Sequence, residues 1–156
     1  MSRRHRAPKR KIDPDPLFSS LLLAKFINKV MMQGKKSVAR RIVYQSLDKL
    51  STKLGVTDTL DAFEKAVENA KPSVEVKSQR VGGATYPVPK EVPGPRRTSL
   101  AFKWIIQFSR NKPGRSMIEA LSTELADCFK NQGATIKKRD ETHRMADANK
   151  AYAHYR

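Results

Sequence analysis

The feature that most limits the fold is a change of hydrophobic period midway along the chain. From Leu22 to Ala70 apolar residues recur at spacings of three and four, and from Leu100 to Phe129 they do so again, which is the helical repeat. Between these runs Val74 and Val76 alternate with Glu75 and Lys77. Gly82-Gly83 is a two-residue hairpin signal, and 84–91 supplies the returning strand. Helical runs on both sides of one hairpin predict a mainly α fold: a bundle of about six helices with a protruding two-stranded β-ribbon at 73–91, between the third and fourth helices.

The ribbon's register follows from its prolines. With Gly82 and Gly83 as the loop, 81/84, 79/86, 77/88 and 75/90 become the hydrogen-bonded pairs. Pro87 and Pro89 then face Ser78 and Val76 at non-hydrogen-bonded positions, where a missing N–H costs the ladder nothing. The same register sets Glu75 opposite Lys90, an attractive pair. Eight residues per strand reach about 26 Å at roughly 3.3 Å each. A lone ribbon is marginal in water, so its tip is expected to be mobile until it meets a partner.

Punctuation residues bound the helices. Ser19 or Ser20 caps the first, whose stripe is Leu22, Phe26, Ile27 and Val30, with Gly34 as its left-handed stop. Ser37 starts the second, with Val38, Ile42, Val43, Leu47, Leu50 and Leu54 inward and Gly55 at its end. Thr57 or Asp58 caps the third, with Leu60, Phe63, Val67 and Ala70 inward, and Pro72 closes it. After Pro93-Gly94-Pro95 the fourth carries Leu100, Ala101, Trp104, Ile105 and Phe108. Ser116 caps the fifth, with Ile118, Leu121, Leu125, Cys128 and Phe129 inward and Gly133 at its end. The last helix, 135–156, is mostly polar, with a narrow stripe of Met145, Ala148, Tyr152 and Tyr155.

Charge narrows the function. Lys and Arg number 32 against 15 Asp and Glu, a net charge of +17, which repels itself in a compact state unless a polyanion neutralises it. The excess is patterned. Residues 1–56 carry 14 basic and 3 acidic side chains and residues 76–118 carry 9 and 1, whereas residues 57–75 carry 2 and 5. The N-terminal Arg3, Arg4, Arg6, Lys9, Arg10 and Lys11, with no acid among them, are expected to be disordered when free. The chain therefore divides into a basic extension, 1–16, and one helical domain, 17–156. No apolar run approaches the roughly 18 residues of a membrane span, and no membrane partner is expected.

Catalytic signals do not assemble. Gly34-Lys35-Lys36-Ser37 has Lys29 where a phosphate loop needs its first Gly, and lies between helices rather than after a strand. His5, His143 and His154 with the single Cys128 form no metal set, and Cys128 falls on an apolar stripe. No enzyme, cofactor or metal is expected. Cations instead gather at helix starts, where unpaired amides favour phosphate: Lys35, Lys36, Arg40 and Arg41 at the second helix, Arg96 and Arg97 at the fourth, Arg110, Lys112 and Arg115 before the fifth. Lys77 and Arg80 run along the ribbon toward Gly82 and Gly83. Dispersed phosphate contacts with few exposed aromatics fit an irregular folded RNA read by shape. A DNA-compacting architectural protein is the alternative.

Ala24-Lys25-Phe26-Ile27-Asn28-Lys29-Val30-Met31, Gly34-Lys35-Lys36-Ser37, Arg80-Val81-Gly82-Gly83-Ala84-Thr85-Tyr86 and the run from Thr142 to Arg156 resemble, together and over essentially the whole chain, the bacterial type of the small-subunit ribosomal protein seven family. That resemblance implies a cytoplasmic ribosomal protein that binds the 3′ major domain of small-subunit rRNA, nucleates head assembly, and lies near the mRNA exit channel and exit-site tRNA. Ribosomal proteins eleven and nine of the small subunit are the implied protein partners. By matching positions, the basic tail, Lys25, the Gly-Lys-Lys-Ser corner and the junctions of helices four and five are implied rRNA contacts. The ribbon near Lys77, Arg80, Gly82 and Gly83 and the last helix near Arg144 and Lys150 are implied to approach mRNA or tRNA. Feedback binding to its own message is a further implication.

Overall fold

A computed structural model describes residues 10–155; the expectations for Arg3, Arg4, Arg6 and Lys9 lie outside these residues. Six helices run α1 (Leu21–Val30), α2 (Lys36–Leu54), α3 (Thr59–Ala70), α4 (Gly94–Arg110), α5 (Met117–Phe129) and α6 (Gly133–Ala148). Strands β1 (Val74–Val81) and β2 (Ala84–Glu91) separate α3 from α4, and a 3₁₀ turn, Lys150–Tyr155, follows α6. The helical stripes meet in one core. Phe26 sits at its centre, with ring centroids 5.2 Å from Phe63 and 5.0 Å from Phe102. These three rings tie α1 to α3 and α4, while Leu47, Leu50, Leu121 and Leu125 close the α2–α5 side.

Three starts follow the capping logic. Ser20 Oγ accepts from the Leu23 amide, Asp58 Oδ1 from those of Leu60 and Asp61, and Ser116 Oγ from that of Glu119. Pro95 lies in the first turn of α4, where no amide is required of it. The hairpin has the expected register, with Pro87 opposite Ser78, Pro89 opposite Val76 and Val81 opposite Ala84. Gly82 and Gly83 both take positive φ, 57° and 91°, the conformation a two-residue loop demands.

Several boundaries and faces depart from the sequence reading. Helix α1 stops at Val30, four residues before Gly34. Gly34 (φ 75°) instead closes, with Gln33 (φ 53°), the turn in which the Lys35 amide donates to Met32 O. Leu23, not Leu22, is the fully buried leucine of the first stripe. Helix α2 begins at Lys36 without a side-chain cap, and Ala39 takes the inward place expected of Val38, which is 50% exposed. Gly133 opens α6 rather than ending α5. The left-handed stop falls on Asn131 (φ 55°), and a Cβ at Gly133 (φ 92°) would stand 2.8 Å from Asp127 Cβ. Residues 135–156 are not one helix, because Asn149 caps α6 and the chain tightens into the 3₁₀ turn. Helix α6 buries Thr135, Ile136, Thr142 and Ala146, leaving Met145 exposed.

The expected Glu75–Lys90 pair is not made. Glu75 is drawn into the base of the ribbon, where Arg96 Nε and Nη2 donate to its carboxylate at 2.7–2.9 Å and Lys77 Nζ lies at 3.0 Å. A forked guanidinium out-competes a single ammonium across the strand. The Arg96 hydrogen bonds hold the Glu75 carboxyl below the usual carboxylate range, with burial opposing them. Its stabilising contribution is therefore present above the pKa of the unfolded chain and lost as pH falls through the lower folded value. Lowering pH from about 5 to about 3 should depress the thermal midpoint of the parent more than that of Glu75→Gln. Parallel curves for the two in a calorimeter would show the pair to be inert.

Candidate nucleic-acid interface

Helix α1 organises the cationic surface. Its buried side carries Leu23, Phe26, Ile27 and Val30, and this leaves Lys25 and Lys29, one turn apart, on the outward side. Four surface clefts border α1 or the turn after it. Arg10, Lys11, Lys36 and Arg40 line the first, where residues 10–16 lie beside α1 and α2. Lys35 and Arg110 rim the second, whose walls are Val30, Met32, Val38, Ile42 and Met117. Lys29, Lys103 and Arg110 line the third, and Lys25 and Lys29 the fourth, opposite the first turn of α4. Nine cations thus border this face against two carboxylates, Asp13 and Asp15.

Asp15 is already engaged. It is 3% exposed, accepts from the Tyr44 hydroxyl at 2.8 Å, and takes the amides of Leu17 and Phe18. Burial, and then the bond to Asp15, push the Tyr44 phenol up, so it stays a donor. The carboxylate thereby anchors the entry of the basic extension to α2. Arg40 Nε is buried and has no hydrogen-bond partner among the described residues. Arg110 Nη2 donates to Val30 O at 3.1 Å, at the end of α1. Lys25, Lys29, Lys35, Lys36, Arg41, Lys103 and Arg115 are exposed and have no carboxylate within 4.0 Å among the described residues.

Other expected phosphate ligands are committed to the fold. Arg96 is half exposed, but its fork is held by Glu75. Arg97 Nε donates to Val92 O at 2.8 Å. Lys112 Nζ lies 2.7 Å from Oε2 of the fully buried Glu124, as an ion pair without hydrogen-bond alignment, and 3.7 Å from Asp127. Lys77 leans on Glu75. At the ribbon's far end Arg80, Gly82 and Gly83 are exposed, as are Arg144 on α6 and Lys150 in the 3₁₀ turn. The ribbon and the C-terminal segment, 70 residues apart in sequence, lie side by side: Ser73 N donates to His143 Nε2 at 3.1 Å, and the Tyr86 and Tyr152 rings stand 5.5 Å apart.

Lys29 and Lys103 lie outside the element junctions at which the sequence concentrates its cations. Their signal was positional: each lies on the polar side of a helix whose other side is apolar. Acidic residues gather elsewhere, with Asp61, Glu64 and Glu68 exposed on α3. Among the described residues, no three His, Cys, Asp or Glu side chains are grouped to hold a metal, and no helix is long and apolar enough to cross a membrane. Cys128 is fully buried, and burial followed by the nearby Glu124 pushes its thiol up to about 12, which removes it as a nucleophile.

Residues 2–150 match the family described as Ribosomal protein S7p/S5e. The chain belongs to this family. Similarity to individual members covers its full length. It is 64% identical over 156 residues to small ribosomal subunit protein uS7 of Protochlamydia amoebophila, spanning 100% of this chain and 99% of that one. With the same coverage it is 61% identical to the uS7 protein of Chlamydia felis and 58% to that of Chlamydia trachomatis serovar L2. Members of the ribosomal protein S7p/S5e family are structural, non-enzymatic components of the ribosome, and the chain is one of them. The cationic face around α1 is thus a surface of a ribosomal protein.

Proposed function

We propose that the chain binds the 3′ major domain of the small-subunit rRNA, nucleates assembly of the subunit head, and stands beside the mRNA exit channel and exit-site tRNA, with small-subunit proteins eleven and nine as neighbours. The observation that carries the rRNA reading is the α1 face, where nine cations meet two carboxylates and one of those is consumed internally. Its cations come from the extension, α1, α2 and α4, so they spread across a surface rather than along a line. Such a surface suits phosphates of several RNA helices held in a fixed relation. Arg3, Arg4, Arg6 and Lys9, ahead of the described residues, add four cations of the type that pairs with phosphate. Arg80 beside the Gly82-Gly83 tip, and Arg144 and Lys150 in the C-terminal segment, are further exposed cations suited to mRNA or tRNA.

Arg41 and Arg115 are exposed with no carboxylate within 4.0 Å among the described residues, which leaves them open to phosphate, whereas Arg96, Arg97 and Lys112 hold the ribbon base and the α4–α5 turn. Feedback on its own message would use the same α1 face, with a leader that copies the rRNA fold. Filter binding against the folded 3′ major domain and against duplex DNA, across a salt series, tests the reading. The rRNA domain should win at matched salt. Lys35→Ala combined with Lys36→Ala should flatten the salt slope by up to about 2, at roughly 0.9 per phosphate. Preference for duplex DNA would favour an architectural DNA-binding role instead.

A further inference from the structure

We infer that the C-terminal 3₁₀ turn and α6 act as a brace that holds the ribbon in its working direction, with Tyr152 and His143 as positioning residues. This deepens the proposed role of the ribbon as an RNA-approaching arm and rests on that reading only for its consequence. A two-stranded ribbon standing alone in water is marginal. Here burial is concentrated toward the root and lost at the tip, although Lys77, Ser78 and Glu91 are exposed. Glu75, Val88 and Pro89 are buried, Tyr86 is half-buried, and Arg80 and 82–85 are exposed. Two contacts from the C-terminal segment fall along that gradient. At the root, His143 Nε2 accepts from the Ser73 amide, one residue before β1. Midway, the Tyr152 ring packs on Tyr86, which pairs with Gln79.

Tyr152 therefore grips the ribbon at the last position before it leaves the body. Beyond Tyr86 only two paired positions, 85 and 84, remain before the turn, an overhang of about 7 Å at roughly 3.3 Å per residue. Without this grip the unsupported length begins near Val88, the outermost fully buried residue, and roughly doubles. Arg80 at the tip would then sample a wider volume before meeting RNA, and binding would have to order it. Coupling through the tyrosine pair is reciprocal, so whatever stiffens the ribbon also orders the 3₁₀ turn.

Amide hydrogen exchange on the full-length free chain tests the brace without any RNA. In Tyr152→Ala the amides of 77–86 should exchange about threefold to tenfold faster, as loss of one aromatic pair implies, while α1 to α5 stay at parent rates. Tyr152→Phe should restore parent protection. Tyr86→Ala should in turn speed exchange in 150–154. Unchanged ribbon exchange in Tyr152→Ala, or acceleration spread equally over the helices, would overturn the brace. If exchange responds as described but exit-site tRNA crosslinking to the ribbon is absent in both parent and variant, the brace stands and the RNA reading of the ribbon falls.

Discussion

Replacing Lys25, Lys29, Lys36 and Lys103 together by Ala is expected to leave the bundle folded and to remove a large share of the salt sensitivity of its rRNA binding. Each of the four is exposed and has no carboxylate within 4.0 Å among the described residues, so no internal ion pair is lost. They stand around α1 from three helices. If each neutralises one phosphate, the slope of log affinity against log salt flattens by about 3.6, at roughly 0.9 per contact. Between about 50 and about 200 mM salt the parent's affinity should then fall about 150-fold further than the variant's. Lys130→Ala, outside this face, should leave the slope at the parent value. A slope in the fourfold variant equal to the parent's would remove the α1 face as the RNA surface.

The second large effect lies in the core. Glu124 is fully buried in α5, and its Oε1 accepts from the Thr135 amide at 3.0 Å and from Thr135 Oγ1 at 2.7 Å. Its Oε2 faces Lys112. One carboxylate thus ties the first turn of α6 to α5 and draws in the α4–α5 turn. Glu124→Ala strands the Thr135 donors and the Lys112 charge and opens a cavity. The cost should be about 3–5 kcal/mol, several degrees or more of thermal midpoint for a chain of this size. Most of that cost comes from the partners left behind rather than from the worth of the pair. Glu124→Leu combined with Lys112→Met should therefore recover much of the stability of Glu124→Ala in a denaturant titration. A double variant as weak as the single one would mean that the Thr135 bonds, not the ion pair, dominate.

Element by element, legibility tracks how local the cause is. The hairpin register was readable because Pro87, Pro89 and the two glycines constrain backbone hydrogen bonding within the segment itself. The α5 start at Ser116, and the α3 start to within Thr57 or Asp58, were readable for the same reason, since a cap side chain bonds amides two or three residues away. Helix ends were less so. Gly34 and Gly133 both read as helix stops along the sequence, yet one serves a turn and the other begins a helix, because a positive φ suits either use. The narrow apolar stripe on the last helix misled, since α6 buries Thr135 and Thr142 with their hydroxyls bonded and needs no wide apolar face.

On the functional surface the same division holds. The net charge, its segmental pattern and the lack of any catalytic grouping follow from residue identity alone, because charge and chemical type do not depend on folding; so does the polyanionic class of partner. Which cations remain available was decided only in three dimensions. Arg96 and Lys112 look equivalent to Lys25, Lys36 and Lys103 along the chain, but distant acids, Glu75 for the first and Glu124 for the second, meet them once the elements pack. Tertiary structure likewise brought Tyr152 to Tyr86 and the extension to Tyr44, contacts between segments dozens of residues apart that no local periodicity encodes.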